Sequence, residues 1–162
     1  MIVLVGFMGA GKSTVGGLLA AKLGVPFTDS DLEIERRAGK PVRQIFADDG
    51  EPAFRQLEHE VIAELLRGDQ QVLALGGGAA SHAVTRSLLA AVPVVYLRVS
   101  YHEAMNRVGS DLGRPMLARP DVARLHRDRD PLYASVATLT IDVDGRSPDH
   151  LALDILARLG PG

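Results

Sequence analysis

Near the start of the chain an apolar run, Met1-Ile2-Val3-Leu4-Val5, leads into Gly6-Phe7-Met8-Gly9-Ala10-Gly11-Lys12-Ser13-Thr14, and Val15 to Leu23 follows with helical character. Residues 6 to 13 fit G-x-x-x-x-G-K-[ST] at every required position, in the strand–loop–helix context that this motif needs. No other feature restricts the fold so tightly. Glycines let the backbone wrap closely around a phosphate. The amides of Gly9, Ala10, Gly11, Lys12, Ser13 and Thr14 can then point inward, at the positive end of the following helix. Lys12 would neutralise the β- and γ-phosphates, and the Ser13 hydroxyl would complete a Mg²⁺ shell. A glycine-rich turn with no ligand is the competing reading. Strand, loop, lysine, hydroxyl and helix agree against it, so the stretch reads as a nucleoside triphosphate site.

The rest of the chain alternates short Val/Ile/Leu-rich runs with helical spacing. Strands are expected at Phe27-Thr28, Val72 to Leu75, Val94 to Leu97 and Leu139 to Asp142. Helices are expected at Leu32 to Ala38 and Val42 to Phe46, broken at Gly39 and Pro41. Further helices are expected from Glu51 to about Arg67, Ser81 to Ala91, Tyr101 to Val108, Val122 to Ala137 and Pro148 to Leu159. Such β–α alternation predicts an α/β fold, a parallel sheet covered by helices on both faces. Functional loops then lie at the carboxyl ends of strands, which nominates residues 6–13, 29–31, 76–78 and 98–102. With 162 residues and no internal repeat or linker, one domain is expected.

Composition narrows the function by exclusion. The 18 basic and 20 acidic residues nearly balance, so no nucleic-acid or membrane partner is expected. No apolar run approaches the roughly 20 residues that cross a bilayer. Cysteine is absent, which removes disulfides, thiolate metal sites and a cysteine nucleophile. A strand begins at the first residues with no basic-plus-apolar signal ahead of it, so a cytoplasmic enzyme is expected.

Thr28-Asp29-Ser30-Asp31 closes the second expected strand. An Asp or Ser before a helix is an ordinary N-cap, and one of the two carboxylates is expected to serve as one. Their place beside the phosphate loop allows more. Transfer of a phosphoryl group to an alcohol needs an acceptor that orients the hydroxyl and takes its proton. Alternation in an extended segment sends Asp29 and Asp31 to the same side, toward the cleft. Asp29 is the candidate carboxylate near Mg²⁺, and Asp31 the candidate base.

Several arginines lie in suggestive places. Phe54-Arg55-x-x-Glu58 on a first helical turn is either a solvated i, i+3 pair or a brace that aims the Arg55 fork at a carboxylate. Gly76-Gly77-Gly78 is either a tight turn or a set of bare amides at the cleft mouth. Gly113-Arg114-Pro115-Met116 sits in the longest polar loop, about 109–121, which is either a lid over the γ-phosphate or a solvated loop. Arg129 belongs to a basic stretch on a helix that Pro131 is expected to kink.

Together, Gly-Phe-Met-Gly-Ala-Gly-Lys-Ser-Thr, Asp-Ser-Asp, Phe-Arg-x-x-Glu, Gly-Gly-Gly, Arg-Pro-Met and Arg-Asp-Pro-Leu-Tyr resemble the shikimate kinase family, in that family's order across nearly the whole chain. The resemblance implies a three-layer P-loop NTPase fold like that of nucleoside monophosphate kinases, with a five-stranded parallel sheet and a lid. It implies Mg²⁺-dependent transfer of the ATP γ-phosphoryl group to the 3-hydroxyl of shikimate, in aromatic amino-acid biosynthesis, by a monomer. By position, Asp31 resembles the residue that activates the hydroxyl, and Asp29 the one near Mg²⁺. Arg55 and Arg129 resemble the pair that binds the shikimate carboxylate, with Gly77 and Gly78 touching ring hydroxyls, and the shikimate-binding helical part is expected at about 31–60. Lys12 and Arg114 resemble the γ-phosphate clamps. Arg107 resembles an adenine-stacking residue, with Pro148 on the adenine's other side. Phe46, Phe54, Pro115 and Met116 would wall the ring. Met116 stands where the family usually has leucine, a nearly volume-conserving change. A gluconate-type or nucleotide kinase is the nearest rival, and lacks a need for paired carboxylate-binding arginines. A regulatory GTPase would need Asn-Lys-x-Asp, which is missing.

Overall fold

The computed structural model describes residues 1–108 and 120–160. Its strands are β1 (Ile2–Val5), β2 (Phe27–Asp29), β3 (Val72–Ala74), β4 (Val94–Arg98) and β5 (Leu139–Asp142). All pairings are parallel and the sheet order is β2-β3-β1-β4-β5. β1 is central: Val3 pairs with Leu73 on one side and Val94 on the other. Such strands are sealed on both faces, hence continuous apolar runs rather than alternation. The chain crosses over β1 between β3 and β4, and the crevice of such a sheet opens at the carboxyl ends there.

The helices are α1 (Lys12–Leu23), α2 (Ser30–Ala38), α3 (Val42–Leu66), α4 (Ala83–Leu88), α5 (Tyr101–Val108), α6 (Pro120–Val136) and α7 (Pro148–Leu159). Val15 and Leu19 of α1, one turn apart, are buried in the main core with the sheet and α7's Leu151 and Ile155. Gly16 lets α1 lie close, because a Cβ there would stand 2.3 Å from the Phe27 ring. A second, smaller cluster of Ile34, Ile45, Phe54 and Val61 holds α2 against α3.

The expected α/β architecture is present, with differences at element boundaries. The separate helices expected at 42–46 and 51–67 form one element, α3, interrupted at Gly50 (φ 84°, ψ 167°). That backbone region is open to glycine alone, and Pro52 starts the second segment as it would any first turn. α2 begins at Ser30 rather than Leu32 because Asp29 caps it. The helix expected over 81–91 shrinks to α4, flanked by tight 3₁₀ turns at Ala79–Ser81 and Leu89–Ala91. β3 stops at Ala74, one residue early, and α6 begins two residues early, at Pro120, and runs on through Pro131. Most of the expected lid, with Arg114, Pro115 and Met116, lies outside the described residues. No helix among the described residues is long and apolar enough to cross a membrane.

Candidate active site

The loop after β1 turns into α1 through Gly11, which holds φ 90° at the N-cap. A side chain there would be strained, so glycine is dictated by the turn itself. α1 has neither a side-chain cap nor an acidic residue in its first turn. Its positive end therefore remains available to an anion. Lys12 folds back across the loop, its Nζ donating to the carbonyls of Gly6 at 2.6 Å and Phe7 at 3.3 Å. Ser13 and Thr14 are exposed beside it.

A cleft of about 580 Å³ opens over this loop, lined also by Asp29, Asp31, Gly76, Gly77, Gly78 and Arg129. The structure thus gathers the loop, both aspartates, the glycine triplet and Arg129 from four separate parts of the chain. The two aspartates reach it by a different route from simple alternation. Asp29 ends β2 and caps α2, its Oδ1 accepting from the amides of Asp31 at 2.9 Å and Leu32 at 3.3 Å. Asp31 is in the first turn of α2, with Oδ1 buried and without a hydrogen-bond partner. Burial pushes the Asp31 carboxyl above the usual aspartate range, and the Asp29 charge adds to this; Lys12 and Arg55 pull the other way. Asp31 presses directly on the glycine triplet: a Cβ on Gly76 would stand 2.4 Å from its Oδ1.

Arg55 is not a solvated surface residue. Its side chain is 14 % exposed, and Nη1 donates to Glu58 Oε1 at 2.8 Å, where Glu58 is 1 % exposed. Burial pushes the Glu58 carboxyl up more strongly than Arg55 draws it down. The guanidinium stacks over Phe54 and Phe46, at 5.2 and 5.9 Å from the ring centroids. Phe46, Phe54 and Glu58 therefore stand behind Arg55, and none of the four is among the residues lining the cleft. Arg55 itself packs on Gly78, where a Cβ would meet Nη2 at 2.2 Å.

A neighbouring pocket of about 290 Å³ is lined by Gly9, Ala10, Gly11, Thr14, Arg107 and Pro148, with Arg146 beside them. Arg107 reaches across to the phosphate loop, with Nη1 donating to Gly9 O at 3.0 Å and Nε to Glu103 at 3.0 Å. Three residues here carry contacts that their sequence context did not assign. Arg146 lines the pocket and pairs with Asp154 at 2.9 Å. Ser30, fully buried, accepts from the Gly76 amide at 3.1 Å. Tyr133, 2 % exposed, donates to the Gly77 carbonyl. The serine's place between two aspartates and the tyrosine's place one turn past Arg129 put both near the expected site, but their partners on the glycine triplet lie on another segment.

A profile of the shikimate kinase family matches residues 8–160. The shikimate kinase of Thermobifida fusca is 51 % identical over 94 % of this chain and 90 % of its own length. That of Salinispora arenicola is 49 % identical over 97 % and 96 %. The solved shikimate kinase from Acinetobacter baumannii, a complex with shikimate, superposes with a TM-score of 0.89 at 42 % identity, covering 98 % of this chain and 91 % of that one. A gluconokinase from Sinorhizobium meliloti matches at TM-score 0.59 and 18 % identity, a likeness of fold alone. With a family profile spanning nearly the whole chain, relatives about half identical over more than nine-tenths of it, and a phosphate loop sharing one cleft with Asp31, the glycine triplet and Arg129, the chain belongs to the shikimate kinase family.

Proposed function

We propose that this chain transfers the γ-phosphoryl group of ATP to the 3-hydroxyl of shikimate, giving shikimate 3-phosphate and ADP. The observation that carries the reading is the one cleft that the two halves share. Gly9 and residues 11–14 of the phosphate loop line the same cleft as the glycine triplet and Arg129. Asp31 lines the same cleft, pressed against Gly76.

The phosphates sit on the loop amides and the open end of α1. Lys12 exchanges its carbonyl partners for the β- and γ-oxygens and spreads their charge. Arg55 and Arg129 take the acceptor's carboxylate, Arg55 as a fork pre-set by Glu58. Asp31 accepts a hydrogen bond from the reacting hydroxyl. As the new oxygen–phosphorus bond forms and the bond to the ADP oxygen breaks, Asp31 takes the hydroxyl proton. Its burial suits that task, since a desolvated carboxylate is a stronger base than an exposed one. Adenine fits the smaller pocket between Arg107 and Pro148. Among the described residues no three His, Asp or Glu side chains converge as a metal cage. A Mg²⁺ ion therefore fits as one shared with the nucleotide, with the Ser13 hydroxyl and Asp29, whose Oδ1 is engaged in the cap, as the residues that would hold it. Bound there, it supplies charge neutralisation of the transferring phosphoryl group. Arg114 is proposed as the second γ-phosphate clamp, with Pro115 and Met116 against the ring, and the protein as a monomer.

ADP release, coupled to a spectroscopic readout, tests the reading with shikimate, gluconate, AMP and no acceptor in parallel. Turnover with shikimate alone is expected. Equal turnover with gluconate or AMP, or none with shikimate, sinks it.

A further inference from the structure

Every carbonyl of the glycine triplet is tied down from behind. Gly76 O accepts from the Ala79 amide at 3.1 Å, and Gly78 O accepts from the Ser81 amide at 3.1 Å and its hydroxyl at 2.5 Å. Gly77 O accepts from the phenol of Tyr133, on α6. The Gly76 amide is held by Ser30 Oγ, while the amides of Gly77 and Gly78 have no partner among the described residues.

Peptide planarity turns this into an aiming device. In a trans peptide the C=O and the following N–H point in opposite directions. Fixing Gly77 O onto Tyr133 therefore holds the Gly78 N–H pointing away from the buried phenol, and fixing Gly76 O does the same for the Gly77 N–H. Without such ties, glycine peptides flip easily.

Tyr133 also sits against the other arm of the acceptor site. A Cβ built on Gly77 would stand 3.3 Å from Arg129 Nη1 and 3.7 Å from the Tyr133 hydroxyl, so the three groups share one spot. The Arg129 charge acts on the same phenol, opposing the burial that pushes its pKa up. The phenol is placed by packing: its ring lies against that of Tyr96, tilted by 47° with 5.1 Å between centroids, and the Tyr96 hydroxyl donates to Asp130 Oδ1 at 2.5 Å, on the same helix as Arg129.

We infer that Tyr133 is a positioning residue for the acceptor: one hydroxyl aims the Gly78 amide and packs beside Arg129, so that two of the groups that grip the acid are set by the same side chain. This rests on the shikimate reading above.

Tyr133→Phe removes the hydroxyl and keeps the ring. The expected result is a KM for shikimate raised about tenfold, as for loss of one hydrogen bond's orientation, with the KM for ATP within about twofold of the parent. Ser30→Ala, which frees the other end of the same loop, should show the same split. In a cycle with Arg129→Lys, the effects of Tyr133→Phe and Arg129→Lys on shikimate KM should fall short of additive. An unchanged shikimate KM, equal rises for both substrates or full additivity overturns the proposal. The thermal shift given by ADP, expected to match the parent's, reports that the variants are folded. Turnover of shikimate by the parent tests the functional reading separately: a parent active on shikimate with an indifferent Tyr133→Phe sinks only the positioning role, and an inactive parent sinks both.

Discussion

A carboxylate buried for catalysis works against the fold that buries it. Asp31 has its pKa raised, first by burial and then by Asp29. A group whose folded-state pKa lies above its unfolded value contributes stability below the unfolded value and loses it as pH rises through the folded one. At neutral pH, ionised Asp31 is therefore destabilising. Asp31→Asn should lower kcat by about 10²–10⁴ while leaving nucleotide affinity intact. The same variant should melt at a higher temperature than the parent at pH 7, and the gap should close in acid. Melting curves across pH, with steady-state kinetics, check both; a less stable Asn variant at neutral pH would show the sign to be wrong. Gly78 offers a second test at this scale. A Cβ there would meet Arg55 Nη2 at 2.2 Å, and Arg55 cannot simply swing aside because Glu58 holds it at 2.8 Å. Gly78→Ala should raise the KM for shikimate by about tenfold or more, with little change for ATP.

At the scale of elements, glycines separate what the chain states openly from what it hides. The strands and α1 were legible because apolar runs and a glycine-lysine loop are local signals. The end of β2 was legible too, although Asp29 reached the cleft as a cap and Asp31 from a helix, a turn that alternation along an extended chain does not anticipate. Arg55 was not decidable from its neighbours. What distinguishes it from a solvated pair is the burial of Glu58 and the two phenylalanines behind it, and burial is a tertiary property. Tyr133 and Ser30 were hidden for the same reason, since their partners lie on another segment. Gly50, which falls between the two helices expected at 42–46 and 51–67, is a joint inside α3, with a backbone only glycine adopts. Gly50→Ala should cost about 1–3 kcal/mol in denaturant unfolding. Gly17, in mid-α1 with nothing within 4 Å of a new Cβ, is the internal comparison. Gly17→Ala should stabilise by about 0.5–1 kcal/mol, so the same substitution carries opposite signs at the two places.

Across the whole molecule, the two apolar clusters support different parts of the proposed site. The nucleotide cradle stands on the main core, with Phe7, Ala10, Val15 and the sheet in one buried cluster. Arg55 stands on the smaller one, in which Ile34, Ile45, Phe54 and Val61 are the buried members. The two meet along α3, where Val61 belongs to the small cluster and the adjacent Ile62 to the large one. A unit with so little buried apolar surface opens more cheaply than the sheet it leans on. Amides of residues 32–57 should therefore exchange hydrogen faster than those of β1, β3 and β4. Ligands then discriminate between the units. If shikimate ties Arg55 to Arg129 as proposed, it should slow exchange over 32–57, whereas ATP analogues alone should protect chiefly residues 9–15. Phe54→Ala, which empties the middle of the small cluster, should cost about 3–5 kcal/mol or as much of that as local opening lets the global transition feel. It should weaken shikimate binding far more than nucleotide binding. Hydrogen exchange followed by mass spectrometry, on the parent with each ligand in turn, distinguishes this from a single rigid body. Uniform protection by either ligand would mean that the small cluster has no independence, and that the acceptor site opens only when the whole sheet does.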